Sequence, residues 1–139
     1  MKKQTMILTV IAAMMISAAS YAQAPATNHD AKIDKAKKNY LVGLRSDISG
    51  LVESCMMRSA QVKMLYPDAN YSDVKKVTDS IAVHGVSPTI RYKAYLASNV
   101  LENPEWFGKR DRQAIETPDE FFNSVAAQLQ ERLLGSRAN

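Results

Sequence analysis

Ile48, Val52, Cys55, Ser59, Val62 and Tyr66 follow one another at steps of four, three, four, three and four residues. Steps of that size track the 3.6-residue turn of an α-helix, so all six side chains fall along one line of a helix, whereas a strand would scatter them over both faces. Leu51, Met56 and Leu65 widen the stripe. A second stripe, Ile90, Ala94, Ala97 and Leu101, repeats the pattern, and Phe121, Phe122, Val125, Leu129 and Leu133 form a third apolar face. No segment shows sustained two-residue alternation with β-branched enrichment. The chain therefore reads as all-α, with about five helices.

Local signals place the ends. Ile33, Ala36, Tyr40, Leu41 and Leu44 mark a first helix over about 30–44, with Lys32, Lys35 and Lys38 toward water. The turn RSDISG follows, its Ser46, Asp47 and Ser49 offering caps for a second helix over about 49–65. Pro67 stops that helix because it lacks the N–H for the next backbone bond. Asn70 or Ser72 caps a short third helix over about 73–84, with Val74, Val77 and Ile81 inward and Gly85 closing it in a left-handed conformation. Ser87 and Pro88 are an N-cap and a first-turn proline for the fourth helix, which Asn103-Pro104 ends. Thr117-Pro118-Asp119-Glu120 is a capping box for the fifth, closed by Gly135. Residues 104–116 are the least regular stretch after the leader.

The N-terminus carries a different signal. Lys2 and Lys3 precede an apolar run from Met6 to Ala19, too short for a comfortable bilayer span, and Ala22-Gln23-Ala24 offers small residues for cleavage. The expected organisation is a cleaved signal peptide over 1–24, a polar linker over 25–30, one all-α domain over 31–135 and a tail over 136–139. The expected location is periplasmic or secreted, with no membrane span once the leader is removed. Cleavage takes two lysines and no acid, so 18 basic against 14 acidic residues become 16 against 14, and the formal charge falls from +4 to +2. That balance gives no reason to expect nucleic acid as a partner.

Chemistry-bearing residues are sparse. One cysteine, Cys55, excludes an internal disulfide framework, and its place on the apolar stripe reads as an inert core thiol rather than a reactive one. There are two histidines and no CxxC, CxxCH or HExxH spacing, so neither a metal nor another cofactor is expected. His84 with Asp79 and Ser80 shares one short helix without a nucleophile turn or oxyanion motif, and reads as a helix-end cation. Asp68, Asp73 and Asp79 lack the ligand alternation and closing Glu of a calcium loop.

An internal similarity runs through the centre. LVESCMMRS (51–59) aligns with IRYKAYLAS (90–98) at an offset of 39, matching Leu51 with Ile90, Cys55 with Ala94, Met57 with Leu96 and Ser59 with Ser98. Each segment follows a helix and a polar turn, the signature of a helical repeat. Ser87-Pro88, Ile90-Arg91 and Ala94 in the second unit resemble the HEAT-like family of helical repeats, while Val52 stands where the first unit would carry a basic residue. The resemblance covers about 60 of the 139 residues. It implies two helix–turn–helix repeats capped by the fifth helix, small residues at Cys55 and Ala94 where helices approach, and an inter-repeat ion pair between Arg91 and Asp47.

Candidate contact residues remain. Tyr92 and Tyr95 occupy the flanks of the fourth helix and suit either a protein contact or an amphipathic rim. Lys109, Arg110 and Arg112 cluster beside Trp106 and Phe107, either as an anionic-partner site with aromatic anchors or as a solvated loop over buried rings. Met56, Met57 and Met64 read as core filling in preference to an adaptable surface. The leading expectation is a non-enzymatic exported scaffold that binds another envelope protein. The alternative is a small-ligand or stress-sensing protein with a pocket between helices.

Overall fold

The computed structural model describes residues 28–108 and 116–136. The expected signal peptide, Arg110 with its neighbours in the basic cluster, and residues 137–139 lie outside the described residues. The chain divides into two compact units, 1–32 and 33–139. Of the first, only the opening residues of the first helix are described. The core, the grooves and the ion-pair networks belong to the second.

Among the described residues five α-helices run in order, α1 (Asn28–Gly43), α2 (Ser49–Leu65), α3 (Ser72–His84), α4 (Pro88–Glu102) and α5 (Pro118–Gly135), with a 3-10 turn at Pro104–Phe107. The described residues contain no strand, and the fold is all-α. The punctuation works largely as its chemistry requires. The Ser87 side chain accepts the N–H of Ile90 at 3.1 Å, with Pro88 at the first helical position. Thr117 Oγ1 accepts the Glu120 N–H at 3.3 Å while Glu120 Oε2 accepts the Thr117 N–H at 2.9 Å, closing the capping box reciprocally. Asn70 Oδ1 accepts from both the N–H (3.1 Å) and the hydroxyl (2.8 Å) of Ser72 at the entry to α3.

Three local expectations are corrected. Helix α1 starts at Asn28, taking in residues assigned to the linker. The N-cap of α2 is Ile48, without a side-chain cap bond; Ser46 Oγ instead accepts the Ile48 N–H at 3.1 Å, which leaves neither Asp47 nor Ser49 in a capping role. Gly85 has φ −57°, so it is not left-handed. Glycine is needed there for room, because a Cβ would stand 2.6 Å from the Ile81 carbonyl oxygen. Helix α5 ends at Gly135 as expected, and the chain leaves through Ser136 in the right-handed helical region.

The core forms around α4, which packs against α2, α3, α5 and the 3-10 turn. Ile90, Ala94, Ala97 and Leu101 are buried as the stripe predicts, and Lys93, Leu96 and Val100 join them. Helix α2 contributes Val52, Cys55, Met56, Met57, Ala60 and Met64, so the methionines do fill the core. Ile48 is 67% exposed and Leu51 43%, because the line they lie on runs out of the core before it reaches the start of α2. Leu51 thus differs in environment from Ile90, with which it aligns at the 39-residue offset. Helix α1 closes against α2 at Gly43, where an added Cβ would collide with Cys55 Sγ. Burial raises the pKa of that thiol, as an inert core position requires. Tyr71 is buried, its hydroxyl has no hydrogen-bond partner among the described residues, and burial, then the neighbouring Tyr40 and Asp34, push its pKa up.

Candidate functional site

A helix at the centre of a bundle has little surface left, and past its exposed first two residues, Pro88 and Thr89, α4 exposes only Tyr92, Tyr95 and Glu102. Tyr92 is 55% exposed. Beside this strip, α5 buries Phe121, Phe122, Val125 and Leu129 in its first three turns and then leaves the core, so that Leu133 and Leu134 stand in solvent. This corrects the expected inward position of Leu133. Between the two helices lies a groove of about 600 Å³. Its floor is Leu96, Ala126 and Leu129, its walls are Tyr92 and Tyr95 on one side and Leu133 and Leu134 on the other, and no charged side chain lines it.

Lys93 and Trp106 tie α5 to its neighbours. Lys93 Nζ donates to Glu53 Oε2 of α2 at 2.7 Å and to Asp119 Oδ1 at 2.6 Å, in the first turn of α5. The same ammonium stands 5.9 Å from the centre of the Phe122 ring, within cation–π range. Burial works against the Lys93 charge, but the bonds from Asp119 and Glu53 outweigh it and hold the pKa above the usual lysine value. Phe121 and Phe122 meet edge to face with ring centres 5.1 Å apart, and the Arg132 guanidinium lies 4.6 Å from the centre of the Trp106 ring. Lys93 was not anticipated as a structural anchor. Its place between Ile90 and Ala94, inside the apolar stripe, was the available signal, since a lysine there needs an acid nearby.

A second polar network ties α3 to α4. The Ser98 hydroxyl donates to Asp79 Oδ1, and Lys75 Nζ reaches Asp79 Oδ2 at 2.9 Å and Glu102 Oε2 at 3.1 Å. Burial alone would raise the Asp79 pKa, but Ser98 and Lys75 together bring it below the usual carboxylate value. Asp79 is thus committed to structure, while His84 stands exposed at the end of α3.

The remaining anticipated residues separate. Tyr92 and Tyr95 share the groove; Trp106 is half-buried against the core under Arg132 and does not line it. Pro88 is the first residue of α4, and Ala94 is fully buried on its inner face. Arg91 does not pair with Asp47: its Nη1 donates to the Gly85 carbonyl at 2.9 Å. The pair fails because the α3–α4 turn brings a carbonyl to Arg91 from within its own connection, which satisfies the guanidinium locally. Asp47 instead lines a smaller cavity of about 260 Å³ between the α1–α2 and α3–α4 turns. Among the described residues no group of His, Cys, Asp and Glu is arranged to hold a metal ion, and no helix is long and apolar enough to cross a membrane.

Compared with protein-family models, curated proteins and solved structures, the chain matches none.

Proposed function

We propose that this chain is an exported, non-enzymatic helical-repeat scaffold whose α4–α5 groove receives an amphipathic helix of another envelope protein. The uncharged groove with exposed tyrosines and leucines carries the reading. Tyr92 and Tyr95 are one turn apart on α4, and Leu129 and Leu133 one turn apart on α5, a spacing that accepts the apolar ridge of a third helix. Tyrosine supplies broad contact area with few rotatable bonds, and an uncharged lining asks the partner to bring no buried charge. The repeat component of the proposal rests on the internal alignment and on a matching fact of the fold: α2 starts at Ser49 and α4 at Pro88, also 39 residues apart.

The test is a photo-crosslink from Tyr95, replaced by a benzophenone amino acid, in native envelopes. The proposal expects one saturable protein adduct that is lost with Tyr92→Ser or Leu133→Asp and retained with Val83→Ser, an exposed apolar position outside the groove. Failure to capture a protein with the folded variant, or capture indifferent to the groove substitutions, overturns it.

A further inference from the structure

Apart from the groove, the molecule holds a cavity whose chemistry is unlike it. It opens between the α1–α2 turn and the α3–α4 turn and measures about 260 Å³, just below the roughly 300–1,000 Å³ range of pockets for drug-sized ligands. Its floor is aliphatic: Leu44, Val52, Ile81 and Ile90 all line it, the first two belonging to the main core. Ile90 is buried yet stands outside that core cluster, so its apolar surface is turned to this corner of the fold.

The rim carries Arg45 and Asp47 on the α1–α2 turn, with the exposed His84 at the end of α3 beside them. Arg45 and Asp47 are two residues apart on one turn and both line the cavity. Among the described residues neither side chain makes an ion pair or hydrogen bond, although Lys93, Lys75 and Arg91 are each committed to a partner. Ser46, between the two charges, is already engaged by the Ile48 N–H. The turn therefore presents one uncommitted cation and one uncommitted anion over an apolar floor.

From this arrangement we infer that the cavity binds a small zwitterion with an apolar side group, of the class of the free aliphatic α-amino acids. The ligand carboxylate meets the Arg45 guanidinium, which presents paired donors suited to it. The ligand ammonium meets Asp47, and the side chain covers Leu44, Val52, Ile81 and Ile90. An anionic lipid or a simple cation would satisfy one rim charge and confront the other with its own sign. This site is separate from the groove, and its ligand does not depend on the scaffold proposal.

Leucine is the probe, added to the full domain at up to about 10 mM while thermal unfolding is monitored, because a ligand selective for the native state raises the midpoint. The expected result is a concentration-dependent rise with leucine. Leucinamide and N-acetyl-leucine, each lacking one charge, and glycine, lacking the side chain, should each bind about tenfold more weakly or worse. Arg45→Gln and Asp47→Asn should each weaken leucine binding about tenfold, a difference of about 1.4 kcal/mol, without lowering the midpoint of the free protein. No shift with leucine, equal binding of N-acetyl-leucine, or binding unchanged in both rim variants overturns the inference.

Discussion

Replacing Lys93 by methionine keeps the length of the side chain and removes its charge. The Lys93 side chain is 10% exposed, Glu53 21% and Asp119 78%, so the two acids do not contribute equally. The bond to Asp119 lies at the surface and is worth about 0.5 kcal/mol, the usual scale of a screened pair. Glu53 is mostly buried, and stripping its partner leaves a carboxylate with its desolvation uncompensated, at about 1–3 kcal/mol. Breaking a fully buried pair costs about 3–5 kcal/mol, and the partial exposure of Glu53 places this case below that range. Lys93→Met should therefore destabilise by about 2–3 kcal/mol, read as a lowered urea midpoint with an unchanged slope. Adding Glu53→Met should restore most of the loss, because two apolar side chains replace an ion pair at little or no penalty. Asp119→Asn alone should cost under about 1 kcal/mol. A midpoint unmoved by Lys93→Met, or a double variant no more stable than the single one, refutes the assignment of Lys93 and Glu53 as a stabilising buried pair between α4 and α2.

Gly43→Ala should destabilise by about 1–3 kcal/mol through overpacking against Cys55 Sγ, and Cys55→Ala in the same chain should recover part of it; two additive losses in thermal unfolding would remove that contact from the account. Tyr71→Phe should be neutral or stabilising by up to about 1–3 kcal/mol, since it deletes a buried hydroxyl that has no partner, and a clear loss of stability would mean that the hydroxyl is satisfied. Asp79 has a lowered pKa in the fold, so its contribution is fully present above its ordinary value of 3.8 and is lost as pH falls from there through the folded value. The stability gap between the protein and Asp79→Asn should accordingly be largest near neutrality and shrink in acid, as measured by melting at a series of pH values; a gap that widens in acid would reverse the sign of the argument.

What the sequence determined by itself is the punctuation of the chain. The four-three stripes, Pro67, Ser87-Pro88 and Thr117-Pro118-Asp119-Glu120 act through backbone geometry within a turn or two, so the helices and the caps of α4 and α5 were readable from neighbours along the chain, whereas the cap of α2 and the conformation of Gly85 were not. The stripe on α4 was readable in full for the same reason: that helix lies at the centre, and every residue on its inner line meets protein. Only tertiary structure decided where a stripe leaves the core. Ile48 and Leu133 obey the periodicity and yet reach solvent, because periodicity fixes the direction of a side chain about its helix but not what stands opposite. It also decided the ionic partners. Lys93 finds Glu53 and Asp119 at sequence separations of 40 and 26, through the packing of three helices, while Arg91 takes a carbonyl six residues away that preempts the distant Asp47. The groove belongs to the same class of fact: its tyrosines come from α4 and Leu129, Leu133 and Leu134 from α5, and they meet only because the two helices pack side by side, with Lys93 of α4 reaching Asp119 and Phe122 of α5.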